Sequence, residues 1–364
     1  MLNNFFCFGH PTLINLRIAK LVYQSIAVIT LALSLFKYLN HTGFEISKLQ
    51  KIFIIIITLM ASYINYDYLP MTMSYNTWSL VLILIFFSIL LFELSNRRAV
   101  ANLISALGFG FICFCLFLVK FPNVVFAVLV YWLCNLFFIR ENLGYKFLAM
   151  IAGILLGYFV FLNNFGDFKN IFHNYYVTLF DVKHVEANSY AGQFMDYILM
   201  CIQKKYLLTE LIIVLATVLI KKLGMERKYL FGYCILILNL LFTFLFMDGN
   251  SKQLHNDFMA GTLFIINGFL FVYMFREEKS TGIKSLHVFI STTLFLMPFC
   301  LMLGTNNAFY YTTSQIIVIA IFGLLAYMAF ARQLSVHYLA IKALVLCAFV
   351  LNALYNGAVK TPYR

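Results

Sequence analysis

Few side chains in this sequence could do chemistry, and they fall between long apolar runs. Asp67 is the one acid in Asn65-Tyr66-Asp67-Tyr68-Leu69-Pro70-Met71-Thr72-Met73-Ser74-Tyr75-Asn76. A carboxylate there, followed by Tyr75 and Asn76, suits a general base or a metal ligand, or else a plain helix-end residue in water. Lys120, in Val119-Lys120-Phe121-Pro122, interrupts an apolar hairpin. An ammonium at the edge of a bilayer must snorkel or pair, and a lipid-linked phosphate is one such partner. The stretch 164–205 carries Asp167, His173, Asp181, His184, Glu186 and Asp196, more than a connection requires. Asp248-Gly249-Asn250, His255, Asn256, Asp257 and Gly304-Thr305-Asn306-Asn307 add acids and amides, although turn formation alone accounts for such residues. Asp67 is thus the candidate catalytic group. Lys120, Tyr75, Asn76, His173, Asn306 and Asn307 are the candidate ligand-binding set. The chain has no phosphate loop, no HExxH and no nucleophile signature with a positioned partner.

The elements that must hold these groups are hydrophobic. Of 364 residues 63% are hydrophobic and only 11% charged, an excess that no water-soluble core could absorb. A span needs about 20 apolar residues. Runs of that kind lie near 18–36, 52–66, 77–93, 100–118, 122–139, 145–163, 206–220, 229–247, 257–275, 285–303, 312–331 and 337–354. Backbone polar groups facing lipid must bond internally, and Ile52-Phe53-Ile54-Ile55-Ile56-Ile57 lacks the alternation of a barrel strand. An all-α, polytopic membrane domain over 1–364, with about a dozen spans, is therefore predicted. Within 164–205, Phe172, Tyr175, Tyr176, Leu179 and Phe180 recur at helical spacing. They predict an extracytoplasmic loop with an interfacial helix, a cover if not a site.

The net charge of +12 is carried by Lys and Arg placed between spans. They read as topology determinants and anionic-headgroup contacts, not as a nucleic-acid surface. Lys37, Lys48, Lys51, Arg97, Arg98, Arg140, Lys146, Lys221, Lys222, Arg227, Lys228, Arg276, Lys279, Lys284 and Arg332 fall in alternate loops, which places those loops in the cytoplasm. Lys120 and Lys252 then face outside, and ionisable side chains are nearly absent from mid-span positions. The eight cysteines lack metal-site spacing and read as packing residues. Met1–Pro11 lacks the basic and apolar regions of a signal peptide. An outside N-terminus without a preceding span is unusual, so a missed span or an earlier natural start is expected.

Two stretches resemble GT-C superfamily membrane glycosyltransferases, in particular the dolichyl-phosphate-mannose-protein mannosyltransferase-like group. One runs from Leu69-Pro70-Met71-Thr72-Met73-Ser74-Tyr75-Asn76 into Thr77-Trp78-Ser79-Leu80. The other runs from Leu103-Ile104-Ser105-Ala106-Leu107-Gly108-Phe109-Gly110 to Leu118-Val119-Lys120-Phe121-Pro122. Gly304-Thr305-Asn306-Asn307 is similar to a late outer-loop feature of the same proteins, and the resemblance spans roughly 10–330. It implies transfer of a sugar from a polyprenyl-phosphate donor to a glycan, lipid or protein acceptor outside the membrane, and in some members a divalent metal. It also implies that Asp67 stands where the family keeps its second acid, and that Lys120 contacts the donor phosphate. His10-Pro11 and Leu16-Arg17-Ile18-Ala19-Lys20 resemble the entry to the family's second span. The first span and its catalytic-Asp loop would then be missing from this chain.

Two other classes compete. An O-antigen polymerase or ligase would share the helical plan, but its large loop should offer Arg to a pyrophosphate, and 164–205 has none. A transporter or flippase would show inverted repeats or ionisable groups at mid-membrane. The glycosyltransferase reading, set in a bacterial inner membrane, expects the loops near Asp67, Lys120, 164–205, Asp248 and Asn306 to share one cavity.

Overall fold

The computed structural model describes residues 13–63, 75–96, 98–165 and 281–302, with scattered single positions beyond them. Among the described residues the α-helices are α1 (Leu13–His41), α2 (Lys48–Tyr63), α3 (Tyr75–Leu94), α4 (Ala99–Val119), α5 (Phe121–Cys134), α6 (Leu143–Phe165) and α7 (Thr281–Met302). A π-helical turn, Asn135–Ile139, continues α5, and no strand occurs among the described residues. Helices α1, α3, α4, α5 with its π turn, and α6 are each long and apolar enough to cross a membrane. They coincide with the first, third, fourth, fifth and sixth apolar runs. The runs predicted between 206 and 275 and near 312–331 lie outside the described residues, as does most of 164–205.

Capping chemistry sets ends that hydrophobicity could not. Gly43, at φ +79, closes α1: the Phe44 N–H reaches Leu39 O at 2.9 Å and the Gly43 N–H reaches Asn40 O at 3.2 Å, a Schellman pair. Ser47 and Gln50 then form a reciprocal capping box at the start of α2, with bonds of 2.8 and 3.3 Å. This box starts α2 four residues before its apolar run. The 16 residues of α2 rise about 24 Å, short of a hydrocarbon layer of about 30 Å.

Helix α3 is apolar over most of its length, with no single polar face, and sits at the centre of the described bundle, packed against α1 and α4 and touched by α5 and α7. The outward faces are apolar too: Ile18, Val22, Ile26 and Leu33 on α1, Leu129 and Leu133 on α5, and Leu148, Leu155 and Phe159 on α6 are all exposed. In water such faces would be costly; in lipid they are the matching surface. Polar ties cross the interior. The Gln24 amide donates to Ser62 O at 2.6 Å, and Ser25 bonds the Tyr63 hydroxyl beside it, joining α1 to α2.

Helices α4 and α6 make the closest pairing. A Cβ on Gly110 would lie 2.0 Å from Met150 O, and one on Gly153 2.0 Å from Leu107 O. A Cβ on Gly157 would meet the Phe114 side chain at 2.8 Å. Gly153 and Gly157 are four apart on one face of α6, the spacing by which helices in lipid approach backbone to backbone. Gly153→Leu or Gly110→Val should therefore abolish the monodisperse folded species in size-exclusion chromatography of detergent-extracted protein. Gly108→Ala, whose Cβ meets only Ile89 at 3.8 Å, should leave that profile unchanged.

Candidate functional site

The described residues form two polar clusters at opposite ends of the bundle. The first is built around Lys120, the one residue between α4 and α5. Its extended backbone (φ −155, ψ 100) breaks the helix. Its N–H still closes onto Leu116 O at 2.6 Å, while its carbonyl accepts the Asn123 N–H at 3.1 Å. Pro122 fits the first turn of α5, where no intrahelical carbonyl awaits its missing N–H. The corner points the Lys120 side chain inward, where it is 4% exposed and its ammonium donates to Leu301 O at 2.6 Å. A backbone carbonyl in the last turn of α7 is thus one of its partners. Burial pushes the Lys120 pKa down to about 7.

Asn123, one turn into α5, is fully buried and its amide bonds the Ser79 hydroxyl of α3. Its side-chain oxygen has no hydrogen-bond partner. Asn76, one helical turn before Ser79 and on the same side of α3, likewise keeps a buried side-chain oxygen without a partner. Each is a buried acceptor, able to take a bond from an O–H or N–H.

Of the residues predicted from the sequence, Lys120 and Asn76 therefore lie at the same end of the bundle, and Tyr75 opens α3 there. Lys120 also holds the end of α7, which stops at Met302, four residues before Asn306. Asp67, Asn306 and Asn307 lie outside the described residues, as do Asp181, His184, Glu186, Asp196, Asp248 and Asp257. His173 is a single exposed helical position. Ser79 and Asn123 belong to the cluster without having been predicted. Their signal is slight, since one polar residue in an apolar helix also reads as tolerated packing. Among the described residues no group of three or more His, Cys, Asp or Glu could hold a metal ion.

The second cluster corrects the charge reading. Lys146 was expected to be a headgroup-facing topology determinant and is instead 1% exposed in the first turn of α6. It pairs with Glu93 of α3 at 2.9 Å and donates to Asn135 Oδ1 at 2.6 Å. The Tyr131 hydroxyl donates to the other Glu93 oxygen at 2.8 Å, and the Asn135 amide returns a bond to Tyr131 O. Lys20 is also buried, inside the span of α1. Charge along a sequence shows its sign but not its partner, and only the fold puts Glu93 beside a residue 53 positions away.

Two outcomes follow. Glu93→Gln or Lys146→Met alone should cost about 3–5 kcal/mol, because each strands a buried charge, whereas the double variant should recover most of the loss. Thermal melting of the purified protein in detergent reads both. For Lys120, the folded pKa near 7 lies below the unfolded value of about 10.4. The unfolded chain binds more protons between those values, so stability should rise with pH across that window. Lys120→Met should reduce this slope in melting temperature.

Comparison with family models, curated proteins and solved structures finds no match for this chain.

Proposed function

We propose that this chain is a multi-pass membrane glycosyltransferase of the GT-C type, with about a dozen spans. It moves a sugar from a polyprenyl-phosphate donor to a glycan, lipid or protein acceptor at the extracytoplasmic face. The observation that supports this reading most is that a buried ammonium, Lys120 at the α4–α5 corner, lies at the same end of the bundle as two unpartnered amide oxygens, Asn76 on α3 and Asn123 on α5. A cation beside hydroxyl-seeking acceptors suits a ligand that carries a phosphate and a sugar together. Lys37, Lys48, Lys51, Arg98 and Arg140 gather at the opposite end, which the positive-inside rule assigns to the cytoplasm of a bacterial inner membrane.

In this reading the polyprenyl tail lies against the apolar helix faces and its phosphate sits at headgroup depth near Lys120. Asp67 takes the proton from the acceptor hydroxyl as that oxygen attacks the anomeric carbon, and the polyprenyl phosphate leaves. Asn76 and Asn123 accept bonds from sugar hydroxyls, and Tyr75, His173, Asn306 and Asn307 complete the contacts. A divalent metal on Asp67 is compatible with this chemistry.

A second reading has one observation behind it. Arg17 of α1 keeps a buried Nε without a partner. It lies at the Lys120 end, because Tyr23, farther along α1, meets the Trp78 ring near the start of α3 in a tilted contact at 5.2 Å. A guanidinium suits a diphosphate, as in an O-antigen polymerase or ligase.

The test uses the full chain in proteoliposomes with radiolabelled polyprenyl-monophosphate and polyprenyl-diphosphate sugars. Transfer from the monophosphate donor, reduced at least tenfold by Asp67→Asn and by Lys120→Gln, is the expected result. Turnover of the diphosphate donor alone would select the polymerase reading, and binding or turnover of neither would refute both.

A further inference from the structure

The far end of the bundle carries a surface that the proposed reaction does not use. Lys37 is exposed at the end of α1, Lys48 is exposed at the start of α2, and Lys51 is half-buried one turn later. The Lys37 ammonium sits 3.9 Å from the centre of the Phe92 ring, and the Lys51 ammonium 6.0 Å from that of Phe36. These contacts gather the lysines around the α1–α2 turn and leave each without an acid. Glu93–Lys146 is the only ion pair among the described residues, and Glu45, exposed in the same turn, pairs with none of the three.

Directly below Lys37 runs an apolar track. Ile18, Val22, Ile26 and Leu33 are each roughly half exposed and, at steps of four, four and seven residues, lie on one side of α1 in a stripe that leads to Lys37. Leu49 and Ile52 of α2, next in the chain to Lys48 and Lys51, are exposed as well. An unpaired cationic rim at the top of an apolar stripe matches one kind of molecule: a negative headgroup with an acyl chain attached.

We propose that Lys37, Lys48 and Lys51 form a binding site for the phosphodiester headgroup of an anionic phospholipid, whose acyl chain lies along the exposed stripe of α1. The rings of Phe36 and Phe92 hold two of the ammonium groups at headgroup depth and limit the rotamer freedom lost on binding. Each lysine near such a surface strengthens binding about fivefold. The three together favour an anionic over a zwitterionic lipid by about a hundredfold.

The full chain in neutral detergent, titrated with phosphatidylglycerol and with phosphatidylcholine and read by native mass spectrometry, tests this. Wild-type protein should prefer phosphatidylglycerol, Lys37→Gln/Lys48→Gln/Lys51→Gln should lose the preference, and the triple Arg variant should keep it. Equal binding of the two lipids by wild-type protein, or an undiminished preference in the triple Gln variant, would overturn the proposal. Should the Gln variant fail to fold, wild-type protein at high salt decides: the preference must weaken as ions screen the lysines, and its persistence overturns the proposal.

Discussion

A charge that cannot reach water constrains everything packed around it, and the Glu93–Lys146 pair is where this chain accepts that constraint. The two side chains come from α3 and α6, and Tyr131 and Asn135 on α5 and its π turn supply the remaining bonds. Three segments must therefore stand in one rotational and axial register, because a shift of one turn would leave an ion unpaired in an apolar surround. The π turn belongs to this arrangement. It widens the helix where Asn135 bonds both the Tyr131 carbonyl and the lysine, and the chain then leaves through Arg140 at φ 56. Phe109 of α4, stacked on the Tyr131 ring at 4.0 Å, ties the fourth helix to the same point.

Close packing along α4 and α6 serves the register from the other direction. Between helices in lipid there is no water to expel, so association rests on contact and hydrogen bonding. Gly110, Gly153 and Gly157 allow the backbones to meet, which brings the first turn of α6 and its lysine within reach of α3. The outer faces of α5 and α6 keep their apolar side chains exposed, a surface that lipid matches and water does not.

At the other end the geometry is less closed. Lys120 is anchored to α7, yet the amide oxygens of Asn76 and Asn123 remain without donors. The Glu93 cluster is fully bonded and reads as architecture, although Asn102 at that end also keeps a buried oxygen without a partner. The Lys120 end is set apart by two such oxygens together with a buried cation, and the functional reading goes there. The buried cations Lys120 and Lys146 tie helices together, whereas Lys37 and Lys48 are exposed and Lys51 is half-buried.

By itself the sequence determined the solvent and the elements. Unbroken apolar runs can satisfy their backbone only as helices in lipid, so α1 and α3–α6 were legible from hydropathy alone. Lys120 was legible as a chemical oddity because an isolated cation between apolar runs has few places to go. The start of α2 was hidden because the Ser47–Gln50 cap, not apolarity, fixes it. The role of Lys146 was hidden because partnership across 53 residues leaves no trace in local spacing. The same holds for Asn123 with Ser79 and for Lys120 with Leu301. Composition determines which groups must find a partner away from water; only the packing of the helices decides which partner each one finds.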